Sequence, residues 1–480
     1  MTHYIGRKGY SIYKDSFTQT QLHEFRKNLT VKPNQGASGF VSNIQYPIYR
    51  ESSSKMYLPR YYGLEHIGPC ERNLLAQGML IDLEFKGDLF EYQKNIVSKY
   101  VQHVGESGGG LLDVEPGKGK TVMALNILSQ LKRKTLVVVH KTFLLNQWKE
   151  RIMQFLPEGK VGMIQGQVID IEDKDIVIGM LQTLSTKDFS EDIIKQFGLT
   201  IYDECHHLSA EVFSNVMIRI HTNYILGLSG TMTRKDGLTK VFKYFIGPVV
   251  HKEKTDVSTQ VLIKTILFDD PYNDEYNDVE TDFKGNPMYS KMITKLCENT
   301  HRTNMIANLI RHELQQNSDQ QIMILAHNKT LIHQLYELIS TFESSIGYYL
   351  GGMKEAQLKE SESKTVIIAT YAMASEGLDI KTLTTLCMAT PKSDVCQCVG
   401  RILRSKHVNP YVIDVIDTHD IFKKQFMKRK TYYFKKNYKL HKFLNYDDYV
   451  QNKYTPESKE SKKAKKKGST CLINFEDCVS

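Results

Sequence analysis

With 480 residues, 41% of them hydrophobic and 24% charged, the chain has an ordinary globular composition and room for two or three domains, each burying its own core. No stretch approaches the roughly 18 consecutive apolar residues of a membrane span, and Arg7, Lys8, Lys14 and Asp15 interrupt any signal-peptide core, so an intracellular protein is expected. The net charge of +9 is a tail property: from Ile421 onward 16 Lys and Arg stand against 6 Asp and Glu, which leaves residues 1–420 near −1 and makes the tail either a phosphate contact or a solubilising run.

Residues 1–88 read as a small accessory domain of short strands and turns, among them Pro33-Asn34-Gln35-Gly36. The cluster Leu58-Pro59-Arg60-Tyr61-Tyr62-Gly63 either forms the core of that domain or stacks on bases, and the core role is the expected one. Glu84-Phe85-Lys86 matches half of a nuclease signature. No Asp lies between Asp15 and Asp82 to complete it, so a nuclease is not supported.

From Leu89 to about Val250 buried-strand runs alternate with helical patterns. Strands are expected at 111–114, 135–139, 161–164, 176–179, 199–202 and 224–228, with a helix at 143–155. Such alternation implies a mostly parallel, doubly wound sheet that binds ligands at the carboxyl ends of its strands. The first run breaks into Glu115-Pro116-Gly117-Lys118-Gly119-Lys120-Thr121. Gly117 and Gly119 can leave the usual backbone region so that successive amides turn around an anion; Lys120 adds charge and Thr121 offers a hydroxyl to Mg²⁺. Val122, Leu125, Leu128 and Leu131 recur at helical spacing and would aim a helix N-terminus at the phosphates. The strict pattern wants glycine where this chain has Val114, and alone the stretch is either a nucleotide loop or a glycine-rich surface turn.

Asp203-Glu204-Cys205-His206 stands at the end of the apolar run 199–202. Mg²⁺ prefers one or two carboxylates with phosphates and water, so Asp203 can hold the metal while Glu204 orients and deprotonates an attacking water. In isolation these residues fit a metal site or a loop; downstream of a phosphate loop in one α/β block, they make an ATPase the expected reading. Gly227-Leu228-Ser229-Gly230-Thr231 follows as a strand end with two hydroxyls, then Arg234-Lys235-Asp236-Gly237.

Residues 251–316 are expected as a connector. Seven acids and no Lys or Arg between Asp269 and Asp282 make an exposed acidic loop unsuited to nucleic acid, and one long helix follows at 288–314. A second α/β block at 317–420 has strands expected at 322–325, 346–350, 365–369, 384–388 and 411–415, a helix at 331–340, and no phosphate loop of its own. It carries Thr370-Tyr371-Ala372-Met373-Ala374-Ser375-Glu376-Gly377-Leu378-Asp379 and Gln397-Cys398-Val399-Gly400-Arg401-Ile402-Leu403-Arg404. Arg401 and Arg404, three apart, share a helix face. They are either surface arginines or, given an ATP site on another domain, arginine fingers that act when the blocks close. Residues 421–480 are expected as a basic extension, disordered from about Gln451; its Lys462-Lys463-Ala464-Lys465-Lys466-Lys467 binds backbone, serves as a nuclear address, or does neither. The eight cysteines form no Cys-x-x-Cys pair, which argues for reduced thiols and against structural zinc or a disulfide framework.

In chain order, Gln93 within Leu89-Phe90-Glu91-Tyr92-Gln93, Gly117–Thr121, Asp203–His206, Ser229–Thr231, Thr370–Asp379 and Gln397–Arg404 resemble the motif set of superfamily 2 helicases of the DExH type. Residues 136–148 and 226–237 are similar to segments of the XPB/UvsW branch and of helicases of large nucleocytoplasmic DNA viruses. The chain departs from the common pattern at Val114, at Cys205, and at Ser229-Gly230-Thr231, where many families have Ser-Ala-Thr. The last departure bears on the coupling of hydrolysis to strand movement.

The resemblance implies an α/β protein of two RecA-like parallel-sheet lobes in tandem, 89–250 and 317–420, with an accessory N-terminal domain and a basic tail. It implies ATP and Mg²⁺ as cofactors, nucleic acid as partner with DNA favoured over RNA, transcription or replication proteins as further partners, and, for a viral protein, host cytoplasm, nucleus or virion. By resemblance Gln93 reads adenine, Glu115, Pro116, Gly117, Lys118 and Gly119 belong to the ATP loop, and Lys120 meets the β and γ phosphates. Thr121 and Asp203 hold Mg²⁺, Glu204 is the base, and Arg401 and Arg404 are catalytic arginines. His206, Ser229, Thr231, Gly377, Asp379 and Gln397 couple the nucleotide state to the nucleic-acid groove. Two functions stay open: an ATP-driven helicase or translocase of replication, repair or transcription, and an ATP-dependent switch that remodels or releases a nucleic-acid complex without strand separation.

Overall fold

The computed structural model describes residues 3–32, 45–115, 117–204, 210–230, 239–252, 261–376, 380, 382–400 and 410–457. They fall into two compact units, Met1–Lys254 and Thr255–Ser480. No described helix is long and apolar enough to cross a membrane.

The first unit opens with His3–Gly6 (β1), Gly9–Tyr13 (β2), Thr30–Val31 (β3), Tyr46–Pro47 (β4), Arg50–Glu51 (β5) and Lys55–Leu58 (β6). They form an antiparallel sheet in the order β1-β2-β6-β5 and a separate β3-β4 pair. The aromatic cluster is core: Arg60, Tyr61 and Tyr62 are all buried. Arg60 ties this sheet to the rest of the unit, its Nη1 donating to the Asn223 carbonyl at 2.9 Å and its Nη2 to that of Ser107 at 3.2 Å.

Eight strands follow: Gly109–Asp113 (β7), Thr135–Val139 (β8), Val161–Gln165 (β9), Val168–Asp170 (β10), Ile176–Met180 (β11), Leu199–Tyr202 (β12), Tyr224–Ser229 (β13) and Val249–Lys252 (β14). Their order is β10-β9-β11-β8-β12-β13-β7-β14, parallel throughout except for the edge strand β10. Both faces are covered, which is why β8, β11 and β12 read as unbroken apolar runs. Leu112, Val137, Val139, Ile176 and Ile178 pack under the helices Glu91–Ser107, Lys120–Leu131 and Thr142–Phe155. Their strand neighbours Leu111, Leu136, Val138 and Val177 face the opposite side and join one continuous core with the accessory sheet.

The second unit has its own eight-stranded sheet: Leu262–Phe268 (β15), Ile322–Ala326 (β16), Ile346–Tyr349 (β17), Val366–Thr370 (β18), Thr385–Met388 (β19), Tyr411–Asp417 (β20), Lys439–Phe443 (β21) and Thr455–Glu457 (β22). The order is β17-β18-β16-β19-β20-β15-β21-β22, parallel but for β22. Each sheet with its helix layers is a RecA-like lobe, so the fold is two such lobes in tandem.

The expected strands appear within two residues of their places. Three stretches differ. The connector expected at 251–316 contains β15, which pairs in parallel with both β20 and β21 and lies inside the second sheet. The basic extension expected from 421 supplies β21 and β22, and the helix Asp420–Lys435 packs against β20. The single helix expected at 288–314 is two, Tyr289–Glu298 and Thr300–Gln316, broken at Asn299. Asn299 leaves the helical region at φ −70°, ψ 108°, accepts the Arg302 amide on its side chain and donates to Asp270 at 2.9 Å, so it ends one helix and caps the next.

Strand β20 is stapled on both faces. Asp414 and Asp417, three apart on a strand, point to opposite sides. Asp417 takes a bidentate pair from Arg302 at 2.7 and 2.9 Å, and Asp414 takes one from Arg429 at 2.8 and 2.9 Å. All four side chains are buried.

Candidate ATP site

Strand β7 delivers the chain into the loop at 114–119, and the helix Lys120–Leu131 starts where the loop ends. Gly117 at φ +85° and Gly119 at φ +79° occupy the left-handed region, where side chains are costly. Gly119 is the residue preceding the helix and offers no side-chain cap, so the first-turn amides face outward as anion donors. Space also demands glycine here: a Cβ on Gly119 would lie 2.4 Å from Nε2 of Gln93.

Gln93 is buried and braces this loop. Its Nε2 donates to the Lys118 carbonyl at 3.0 Å, and its Oε1 accepts the Phe90 amide at 3.0 Å. The Tyr92 hydroxyl donates to the same Lys118 carbonyl at 3.1 Å. Val114 makes its polar contacts through the backbone alone: its amide donates to the Ser229 carbonyl at 3.0 Å, and its carbonyl accepts from Lys120 Nζ at 3.4 Å. Its side chain fills the core beneath the helices, which accounts for valine at this position.

Strand β12, two places from β7 in the sheet, ends at Tyr202 and presents the acids beside the loop. Lys120 Nζ lies 3.2 Å from Oε1 of Glu204, with both groups largely sequestered. Glu204 sits at φ +46°, a strained left-handed conformation of the sort that collects at working sites. Asp203 is buried and accepts the indole N–H of Trp148 at 2.8 Å. Burial, followed by the neighbouring charge of Glu204, pushes the Asp203 carboxyl up to about 6, while the Trp148 bond and Lys120 oppose the shift. Ser229 ends β13 in register with Asp113, directly between the two motif strands.

These residues fit a nucleotide and its metal. The oxygen donors Asp203 and Thr121 suit Mg²⁺, the uncapped helix start and its two left-handed glycines suit phosphates, and the Lys120 ammonium is already aimed at an anion, here the Glu204 carboxylate. The structure therefore brings together Gln93, Gly117, Lys118, Gly119, Lys120, Thr121, Asp203, Glu204 and Ser229, with Glu115 in the loop itself. Pro116, His206, Thr231, Gly377, Asp379, Arg401 and Arg404 lie outside the described residues. Gln397 falls in the short helix Cys396–Val399 of the second unit.

Trp148 closes the 136–148 segment of the motif resemblance, but motif reading assigned it no role at the site. It is the chain's sole tryptophan and is buried. A buried indole N–H needs an acceptor, and that requirement was the available signal; the acceptor lies 55 positions away in sequence.

The family model described as "Type III restriction enzyme, res subunit" matches residues 86–234, which span the loop, Trp148 and both acids. A protein of Acanthamoeba polyphaga mimivirus named "Putative ATP-dependent RNA helicase L396" is 34% identical over 451 residues, 92% of this chain and 86% of its own length. "Putative ATP-dependent RNA helicase QP509L" of African swine fever virus is 26% identical over 403 residues, 75% of each chain. "DNA 3'-5' translocase XPB2" of Sulfurisphaera tokodaii is 32% identical over 197 residues, 41% of this chain and 43% of that one. With a phosphate loop and its paired acids on the first of two RecA-like lobes, and a viral helicase relative matched along nearly the whole sequence, the chain belongs to the superfamily 2 helicases.

Proposed function

We propose that this protein hydrolyses ATP with Mg²⁺ to move along or unwind nucleic acid, with DNA as the polymer. The observation that carries the reading is the convergence of Lys120, Asp203 and Glu204 at one end of the first sheet, beside an uncapped helix start.

Glu204 and Lys120 form an ion pair at 3.2 Å. Phosphates entering the loop compete for the Lys120 ammonium and release the Glu204 carboxylate, which then orients and deprotonates water. Gln93 fixes the loop backbone through Lys118, so its amide couples adenine recognition to the loop's shape. Thr121 and Asp203 would hold Mg²⁺, which would supply neutralisation of phosphate charge. Arg401 and Arg404 take the finger role from the motif resemblance, as His206, Thr231, Gly377, Asp379 and Gln397 take the coupling role.

The match to a DNA translocase over 197 residues supports DNA, whereas the names of the mimivirus and swine fever relatives specify RNA. The test is strand displacement on forked DNA and forked RNA duplexes by the wild type, Lys120→Ala and Arg404→Ala. ATP-dependent displacement of the DNA fork is expected, with Lys120→Ala inactive and Arg404→Ala reducing ATP turnover on the order of 10³-fold. Near-normal ATP turnover by either variant would remove that residue's assignment. Hydrolysis without displacement would favour a switch that remodels complexes.

A further inference from the structure

The helix Asp420–Lys435 carries Lys423, Lys424, Lys428, Arg429, Lys430 and Lys435 against one acid, Asp420. Its inner face is fixed: Phe422, Tyr433 and Phe434 are buried, and Arg429 is bound to Asp414 and to the Lys392 carbonyl. Lys430 pairs with Glu457. The outer face is different. Lys423, Lys424, Lys428 and Lys435 are exposed, and the ammonium groups of the four have no hydrogen bond or acidic partner among the described residues.

At 3.6 residues per turn, positions 424, 428 and 435 fall within about 40° of one line and spread over roughly 16 Å of helix axis. Lys424 and Lys428 are like charges at i,i+4, an arrangement that disfavours the helix unless something neutralises it. Lys428 and Lys435 are about 10 Å apart along the axis, too far to converge on one small anion. The complement is an extended polyanion, and in a helicase the polyanion at hand is the nucleic-acid backbone.

We infer that Lys424, Lys428 and Lys435 form a nucleic-acid backbone contact on the second lobe, lying outside every motif of the ATPase machinery. The row binds phosphates without reading sequence and adds to the affinity of the motif-borne groove. The inference rests on the nucleic-acid part of the function proposed above.

The test is binding of labelled single-stranded DNA and RNA across a salt series by the wild type, by the triple variant Lys424→Gln, Lys428→Gln, Lys435→Gln, and by the corresponding triple Lys→Arg variant. Each lost phosphate contact removes about 0.7 from the slope of log K against log salt for a single strand, so the glutamine variant should be shallower by about 2. The arginine variant should keep the wild-type slope, and ATP turnover without polymer should be unchanged in all three. A wild type that binds while the glutamine variant keeps its slope overturns the lysine row alone. A wild type that binds no strand, DNA or RNA, overturns the nucleic-acid reading and this inference with it.

Discussion

Asp203 is held from behind by a neutral donor. The Trp148 indole fixes one carboxylate oxygen without placing a positive charge next to the proposed Mg²⁺ position, as an arginine or lysine would. Replacing Trp148 with Phe keeps the ring packing and removes the N–H. Such outer partners typically contribute 10- to 100-fold to metal affinity, so Trp148→Phe is predicted to raise the Mg²⁺ concentration for half-maximal ADP binding by at least about 10-fold, with metal-free ADP binding unchanged. Calorimetric titration at several Mg²⁺ concentrations measures both, and an unchanged Mg²⁺ requirement in a folded variant contradicts the role. Gly119→Ala is predicted to weaken nucleotide binding, because its Cβ meets Gln93 in a left-handed backbone that costs L-residues roughly 1–2 kcal/mol. Wild-type ADP affinity in that variant would show that the loop has slack. Of these residues, the glycines, Lys120 and the two acids were legible because their chemistry depends on local spacing. The Trp148–Asp203 bond was not, because it depends on which helix packs over which strand end.

At the scale of elements, buried polar groups mark where segments are joined. His221 sits against the accessory sheet, its Nε2 within 3.2 Å of where a Cβ on Gly9 would lie. Burial, with Arg60 and Arg50 nearby, pushes His221 down to about 3. An unfolded histidine titrates near 6.5, so below that pH the unfolded chain takes up a proton that the folded chain refuses. The stability of this joint is full above pH 6.5 and falls as pH drops toward 3, by about 2 kcal/mol at pH 5 from this group. His221→Gln is predicted to shrink the difference between urea midpoints at pH 7 and pH 5; an unaltered difference would exonerate His221. In the second unit, Asp417→Asn leaves Arg302 buried without its counter-charge and is predicted to cost about 3–5 kcal/mol, read as a loss of urea midpoint. Apolar patterning located the central strands of both lobes but not β10, β14, β15, β21 or β22, nor helices such as Glu91–Ser107 and Asp420–Lys435. It failed at β15, because the acidic loop that follows gave the whole stretch the character of a linker, while its pairing with β20 and β21 is set by residues about 150 to 180 positions away. The helix break at Asn299 was hidden for a related reason: asparagine fits an exposed helix position, and only Asp270 and the Arg302 amide reveal it as a cap.

For the molecule as a whole, chemistry and charge are divided between the units. The first holds the phosphate loop and both acids; the second holds a RecA-like sheet without such a loop, and its basic residues are concentrated after residue 420, part of them displayed on the Asp420–Lys435 helix. The ordered motifs made the family readable from sequence, and the mimivirus relative matched over 92% of the chain bears it out. Polymer choice was not readable, because discrimination of a 2′-hydroxyl depends on groove geometry rather than on any residue pattern. The central claim is that ATP turnover at Glu204 serves work on nucleic acid. Its most direct test is steady-state ATP hydrolysis with no polymer, single-stranded DNA, duplex DNA and RNA, run beside Glu204→Gln. The account predicts turnover that DNA stimulates and that falls to background in every arm with Glu204→Gln; wild-type turnover no higher than that of Glu204→Gln in all four arms would contradict it.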